Sequence, residues 1–119
     1  MPNEYGVYCK DECENIYPAD PNDKLMFYQK GFQIKLAHTP KGWIYEIDWQ
    51  LHNRGQGSPL TGKQPPWFTS RDLALDAVDA ELKDLIVWQR KDYHYNDADE
   101  KIFKTTLDYI NNRLQFELF

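Results

Sequence analysis

The sequence predicts an α+β domain: a small antiparallel sheet of about three strands, followed by two helices packed on one face. Three observations predict it. Between residues 32 and 51, bulky and polar side chains alternate with the period of two expected of half-buried strands. Beyond Thr69, apolar residues recur at helical spacing in two separate blocks. The strands come first and the helices after, which favours α+β over alternating α/β order.

The elements follow in order. Residues 1–24 are polar, acidic and irregular, with one acidic helical turn expected near Lys10–Ile16. Pro18 and Pro21 break any regular element there. Leu25-Met26-Phe27-Tyr28 is a short apolar run. Phe32, Ile34 and Leu36 then alternate with Gln33 and Lys35, which predicts a strand. Pro40-Lys41-Gly42 supplies turn chemistry. Trp43, Tyr45, Ile47, Trp49 and Leu51 share one face of the second strand, and the pair predicts a hairpin with Lys35 opposite Glu46 or Asp48. Residues 53–66 carry three glycines and three prolines and read as a long loop, with Trp67-Phe68 a short edge strand after it.

The first helix is expected from Thr69 or Ser70, with Thr69-x-x-Asp72 as a capping box. Its apolar stripe is Ala74, Ala77, Val78, Leu82, Leu85 and Trp88. Asp72, Asp76, Asp79, Lys83 and Arg90 form the opposite, solvated face. The second helix is expected from Asn96 or Asp97, with Asp97-x-x-Glu100 as its capping box. Its stripe is Phe103, Leu107, Ile110 and Leu114, and Asn111-Asn112 marks its end. Residues 1–114 are thus expected to form one domain and residues 115–119 a peptide tail.

Composition narrows the function. The 119 residues include 18 aromatics, enough for a real core and too many for a disordered chain. No apolar run approaches the roughly 20 residues of a membrane helix, and the first residues lack a signal-peptide pattern, so a cytoplasmic location is expected. The formal charge of −5 is unevenly spread. Residues 1–24 hold 2 basic and 6 acidic side chains, residues 25–68 hold 5 and 2, and residues 69–119 hold 7 and 11. An acidic chain of this kind suits a basic protein partner, and direct nucleic-acid binding is not expected of it as a whole.

Catalytic patterns are missing. There is no G-x-S-x-G, no G-x-x-x-x-G-K-[ST] and no H-E-x-x-H. Lys63 follows Gly55, Gly57 and Gly62 but leads into Gln64-Pro65-Pro66, so the helix N-terminus of a phosphate loop is lacking. Glu46 and Asp48 share a strand face, the pattern of a solvated sheet surface more than of an acid–base pair. Cys9 and Cys13 are spaced C-x3-C, yet His38, His52 and His94 stand without ligand spacing, so no metal or cofactor is expected. The basic, aromatic middle third leaves one alternative: Trp43, Tyr45 and Trp49 as a stacking face for single-stranded nucleic acid, with Lys35, Arg54 and Lys63 as its cations.

Two resemblances add to this. The stretch W-x-Y-x-I-x-W followed by S-R-D-L-A-L-D-A-V-D-A-E-L resembles the strand–helix pattern of HicB-type antitoxins, about a third of the chain, and implies an α+β architecture. Gln115-Phe116-Glu117-Leu118-Phe119 resembles the peptide by which bacterial replication and repair proteins dock on the replicative sliding clamp, commonly Q-L-x-L-F. Gln115, Leu118 and Phe119 match, and Phe116 stands where Leu or Met is usual. The resemblance implies a non-enzymatic accessory protein of a bacterium, phage or mobile element. Its contacts would be Gln115, Phe116, Leu118 and Phe119, with Leu118 and Phe119 as apolar anchors and the Gln115 amide fixing register. The other expectation is an antitoxin-like or anti-defence inhibitor that meets a basic protein surface.

Overall fold

The computed structural model describes residues 6–9, 12–18, 24–25, 28–29, 31–62 and 66–117, with backbone alone at 24–25, 28–29 and 114–117. Among the described residues, eight strands precede two helices: β1 (Val7–Tyr8), β2 (Glu14–Ile16), β3 (Lys24–Leu25), β4 (Tyr28–Gln29), β5 (Gly31–Thr39), β6 (Gly42–Gln50), β7 (Gly55–Gln56), β8 (Leu60–Thr61), α1 (Arg71–Asp92) and α2 (Asp97–Glu117). The class is α+β, as expected. The main sheet is four-stranded and antiparallel, in the order β2-β5-β6-β7, where about three strands were expected. The extra members are β2, which takes the place of the expected acidic helical turn, and the short β7, which lies inside the expected loop. Two-stranded ladders β1–β8 and β3–β4 complete the strands.

The β5–β6 hairpin is the centre of the fold. Its register sets Phe32 opposite Trp49, Ile34 opposite Ile47 and Leu36 opposite Tyr45 on one face, with Lys35 opposite Glu46 on the other. Thr39 and Gly42 close the turn. The Thr39 hydroxyl accepts from the Lys41 and Gly42 amides and donates to the Gly42 carbonyl at 2.7 Å. Gly42 has φ +139°, and a Cβ there would lie 2.7 Å from the Phe68 carbonyl oxygen, so glycine is required on both counts. The close approach serves a backbone bridge between Trp43 and Phe68, which is all that forms of the expected edge strand.

Both sheet faces are covered, not one. Phe32, Ile34, Ile47, Trp49 and Leu51 pack with Val78, Leu82 and Ile86 of α1 and Phe103 and Ile110 of α2. On the opposite face, Ala37 and Ile44 bury themselves under Leu60, with Tyr8, Cys13 and Trp67 around them. The alternation therefore marks two apolar surfaces at this end of the hairpin, because the β1–β8 ladder folds back over it.

Ser70 caps α1: its hydroxyl accepts from the Leu73 amide at 3.1 Å, in place of the expected Thr69–Asp72 box. The buried face of α1 is Ala74, Leu75, Val78, Asp79, Leu82, Ile86 and Gln89. That face is rotated from the expected one, so Trp88 is exposed and Asp79 is buried. Asp79 is held by Arg113 of α2, whose Nε donates to Asp79 Oδ2 at 2.8 Å and whose guanidinium also reaches Asp76 Oδ1 at 2.8 Å. The acidic stripe of α1 is thus partly an interhelical tie rather than a wholly solvated face. On α2 the expected stripe holds at Phe103 and Ile110, both fully buried. The capping box is Asn96–Asp99: the Asp99 amide donates to Asn96 Oδ1 at 2.8 Å, and the Asn96 amide donates to Asp99 Oδ2 at 3.3 Å. The backbone of α2 continues through Asn111-Asn112 to Glu117.

Candidate functional site

The pentapeptide 115–119 begins on this helix. The backbone of residues 115–117 is helical, while the side chains of Gln115, Phe116 and Glu117, and all of Leu118 and Phe119, lie outside the described residues. Arg113 is the last described side chain, and its bonds to Asp76 and Asp79 fix α2 against α1 two residues before the motif starts. The last turn of α2 carries no basic residue, so its C-terminal dipole has no cation to complement it there.

The residues of the nucleic-acid alternative are not brought to one surface. Trp49 is 7% exposed in the core beneath the helices. Tyr45 packs against the same core, and its ring lies 5.9 Å from that of Phe68. Trp43 is half-buried and stacks on His38 at 4.7 Å. Lys35 is on the opposite face, where its ammonium pairs with Asp48 Oδ2 at 2.8 Å and donates to the Ser58 carbonyl at 2.7 Å. Arg54 donates from Nε to Gln89 Oε1 at 2.8 Å. Lys63 lies outside the described residues. The aromatic stripe faces inward because it is the core surface of the sheet, which leaves no open row of rings on that strand.

The densest collection of interaction-prone side chains is elsewhere, at the corner where β6 turns into β7 and α1 meets α2. Leu51 is buried and anchors the turn, its amide bonded to the Arg54 carbonyl at 2.8 Å. The Arg54 guanidinium, held by the fully buried Gln89, lies over the Tyr93 ring at 3.9 Å. Tyr93 meets Trp88 edge-on at 4.8 Å, and both rings are exposed, as is Val87 at 62%. Next to them, the buried Asp99 carboxylate faces His52 Nδ1 and accepts the His52 amide at 3.1 Å, and the His94 ring stands edge-on to that of His52. Trp, Tyr and Arg are the residue types that dominate binding hot spots. No sequence spacing announces this corner, because its members come from the β6–β7 connection and, far along the chain, from the end of α1, the α1–α2 connection and the start of α2.

The outer face of α1 is acidic: Asp72, Asp76, Glu81, Asp84 and Asp92 are exposed, against Lys83 and Lys91. Partial burial, then the neighbouring Asp84, raise the Glu81 carboxyl above its ordinary range. Burial, then Asp48 and Glu81, raise that of Glu46. Burial, then Glu81 and Glu46, push the Tyr45 phenol up to about 12. A carboxyl raised in the folded state favours folding in its protonated form, so this contribution is present at low pH and is lost as pH rises through the folded pKa. Glu81→Gln is therefore expected to raise the melting temperature at pH 7, with the gain vanishing toward pH 3. A gain that persists at pH 3 would contradict the assignment.

Among the described residues, no group of three or more His, Cys, Asp or Glu side chains is placed to hold a metal, and no helix is long and apolar enough to cross a membrane. Comparison of the chain with known protein families, curated proteins and solved structures found no match.

Proposed function

We propose that this protein is a non-enzymatic, cytoplasmic accessory protein that acts by binding another protein, with residues 115–119 as a docking peptide for the bacterial replicative sliding clamp. The observation that carries the reading is the match of Gln115, Leu118 and Phe119 to the clamp-docking pattern, immediately after the Arg113 tie. Docking in an extended form unwinds the final helical turn. That turn lacks a C-terminal cation and carries Glu117, which opposes the helix dipole, so unwinding costs little. Leu118→Ala with Phe119→Ala is expected to weaken clamp binding at least tenfold while leaving the melting temperature within a degree or two. A large loss of thermal stability instead would mean that these side chains belong to the core and would overturn the reading.

A second reading has its own observation. The exposed Val87, Trp88 and Tyr93, adjoining the acidic outer face of α1, suit a partner with a basic surface and apolar pockets. This is the surface expected of an antitoxin-like or anti-defence inhibitor. Under it, partner binding weakens steeply with salt, fails in Trp88→Ala, and survives loss of residues 115–119.

A further inference from the structure

Asp99 does more than cap a helix. The cap needs only the Asn96 amide on Oδ2 and the Asn96 side chain on the Asp99 amide. Yet the carboxylate is 1% exposed and is also committed to a histidine 47 residues away: Oδ1 accepts the His52 amide at 3.1 Å, and Oδ2 faces His52 Nδ1. A carboxylate that accepts the Nδ1–H fixes the imidazole tautomer with its lone pair on Nε2, the nitrogen left for a metal. A quarter of the His52 side-chain surface is open to solvent. His94, exposed in the connection between α1 and α2, stands beside it with ring centroids 6.5 Å apart and planes at 81°.

From this geometry we propose that His52 and His94 bind a divalent cation of the zinc, copper or nickel class, with Asp99 as the buried carboxylate that orients His52. The ligand type selects the class: imidazole nitrogen suits these metals, whereas calcium and magnesium take oxygen ligands. Two imidazoles on one tetrahedral metal, with metal–nitrogen distances of about 2.0–2.1 Å, place their ring centroids roughly 5 Å apart, so binding requires the exposed His94 to rotate and move inward by more than ~1 Å. The chain supplies two ligands, and the remaining positions are left to water or to a donor from another molecule. The inference is independent of the docking reading for residues 115–119.

The test is zinc titration of the full chain by calorimetry, with competition against a chromogenic zinc indicator. Wild type is expected to bind zinc saturably and to ignore magnesium and calcium. His52→Gln and His94→Gln should each weaken zinc binding at least tenfold. Asp99→Asn should weaken it about 10–100-fold with both histidines still present. His94→Gln alters an exposed side chain, so its fold is checked by circular dichroism and the result stands even where Asp99→Asn destabilises α2. A Cys9→Ser, Cys13→Ser variant should bind as wild type does. Absence of zinc binding, binding unchanged in His94→Gln, or binding that depends on the cysteines instead would each overturn the proposal.

Discussion

Phe103→Ala is expected to cost about 3–5 kcal/mol of folding stability, a large part of the roughly 5–15 kcal/mol available to a domain. Phe103 has no exposed surface and is the largest fully buried side chain among the described residues. It belongs to the core cluster that joins both long strands and α1, its ring meets that of Tyr95 edge-on at 5.7 Å, and the Arg90 guanidinium lies 5.5 Å from its centre. Truncation removes the transfer free energy of a benzyl group and leaves a cavity where two helices and the sheet converge, a place that cannot collapse easily. Urea denaturation checks this through the midpoint, with the slope unchanged. A loss below about 1 kcal/mol would place Phe103 outside the core.

Arg113→Ala is expected to cost about 3 kcal/mol or more, because it leaves the Asp79 carboxylate buried without its main cation. Arg113 is itself largely covered, so solvent offers little screening of the pair. Arg113 also holds Asp76, and through both it clamps the second half of α2 onto the first half of α1. The sign of the double variant separates charge from packing. Replacing Arg113 by Met together with Asp79 by Leu should recover most of the loss, since a buried ion pair is stabilising only relative to a broken one. Failure of the double variant to recover would mean that the pair contributes specific geometry beyond mutual neutralisation. A single variant as stable as wild type would contradict the burial of Asp79.

Much of the architecture was legible in local patterns. The hairpin was readable because both strands carry a clean two-residue period on either side of a turn former. The helices were readable because their apolar residues keep helical spacing over about three to four turns each. Three features were not readable for a common reason: each depends on a partner distant in sequence. The strand at Glu14–Ile16 exists because β5 offers it an edge, whereas its own acidic composition suggested a helical turn. Asp79 lies inward because Arg113, 34 residues on, arrives to neutralise it. Trp88 lies outward because Leu75 and Ile86 pack into the core and Gln89 is bound by Arg54, which sets the buried face of α1, and the indole meets Tyr93 instead.

The candidate sites divide the same way. The docking proposal for residues 115–119 rests on sequence alone, because a linear peptide motif is by nature a local pattern. The six residues of the stacking alternative lie close in sequence, and the sheet separates those that are described: Trp49 lies in the core and Lys35 on the opposite face. The corner of His52, Arg54, Trp88, Tyr93, His94 and Asp99 was invisible, because its histidines lie on two different connections and only the fold brings them together.

The central claim is that the protein works by docking through residues 115–119, and surface plasmon resonance with immobilised bacterial sliding clamp tests it most directly. The intact chain, the chain lacking residues 115–119 and Trp88→Ala are passed over the same surface at physiological salt. The account predicts binding by the intact chain at about micromolar affinity, the same affinity for Trp88→Ala, and no measurable binding by the truncated chain. Equal binding by the intact and truncated chains, or binding by neither, would contradict it.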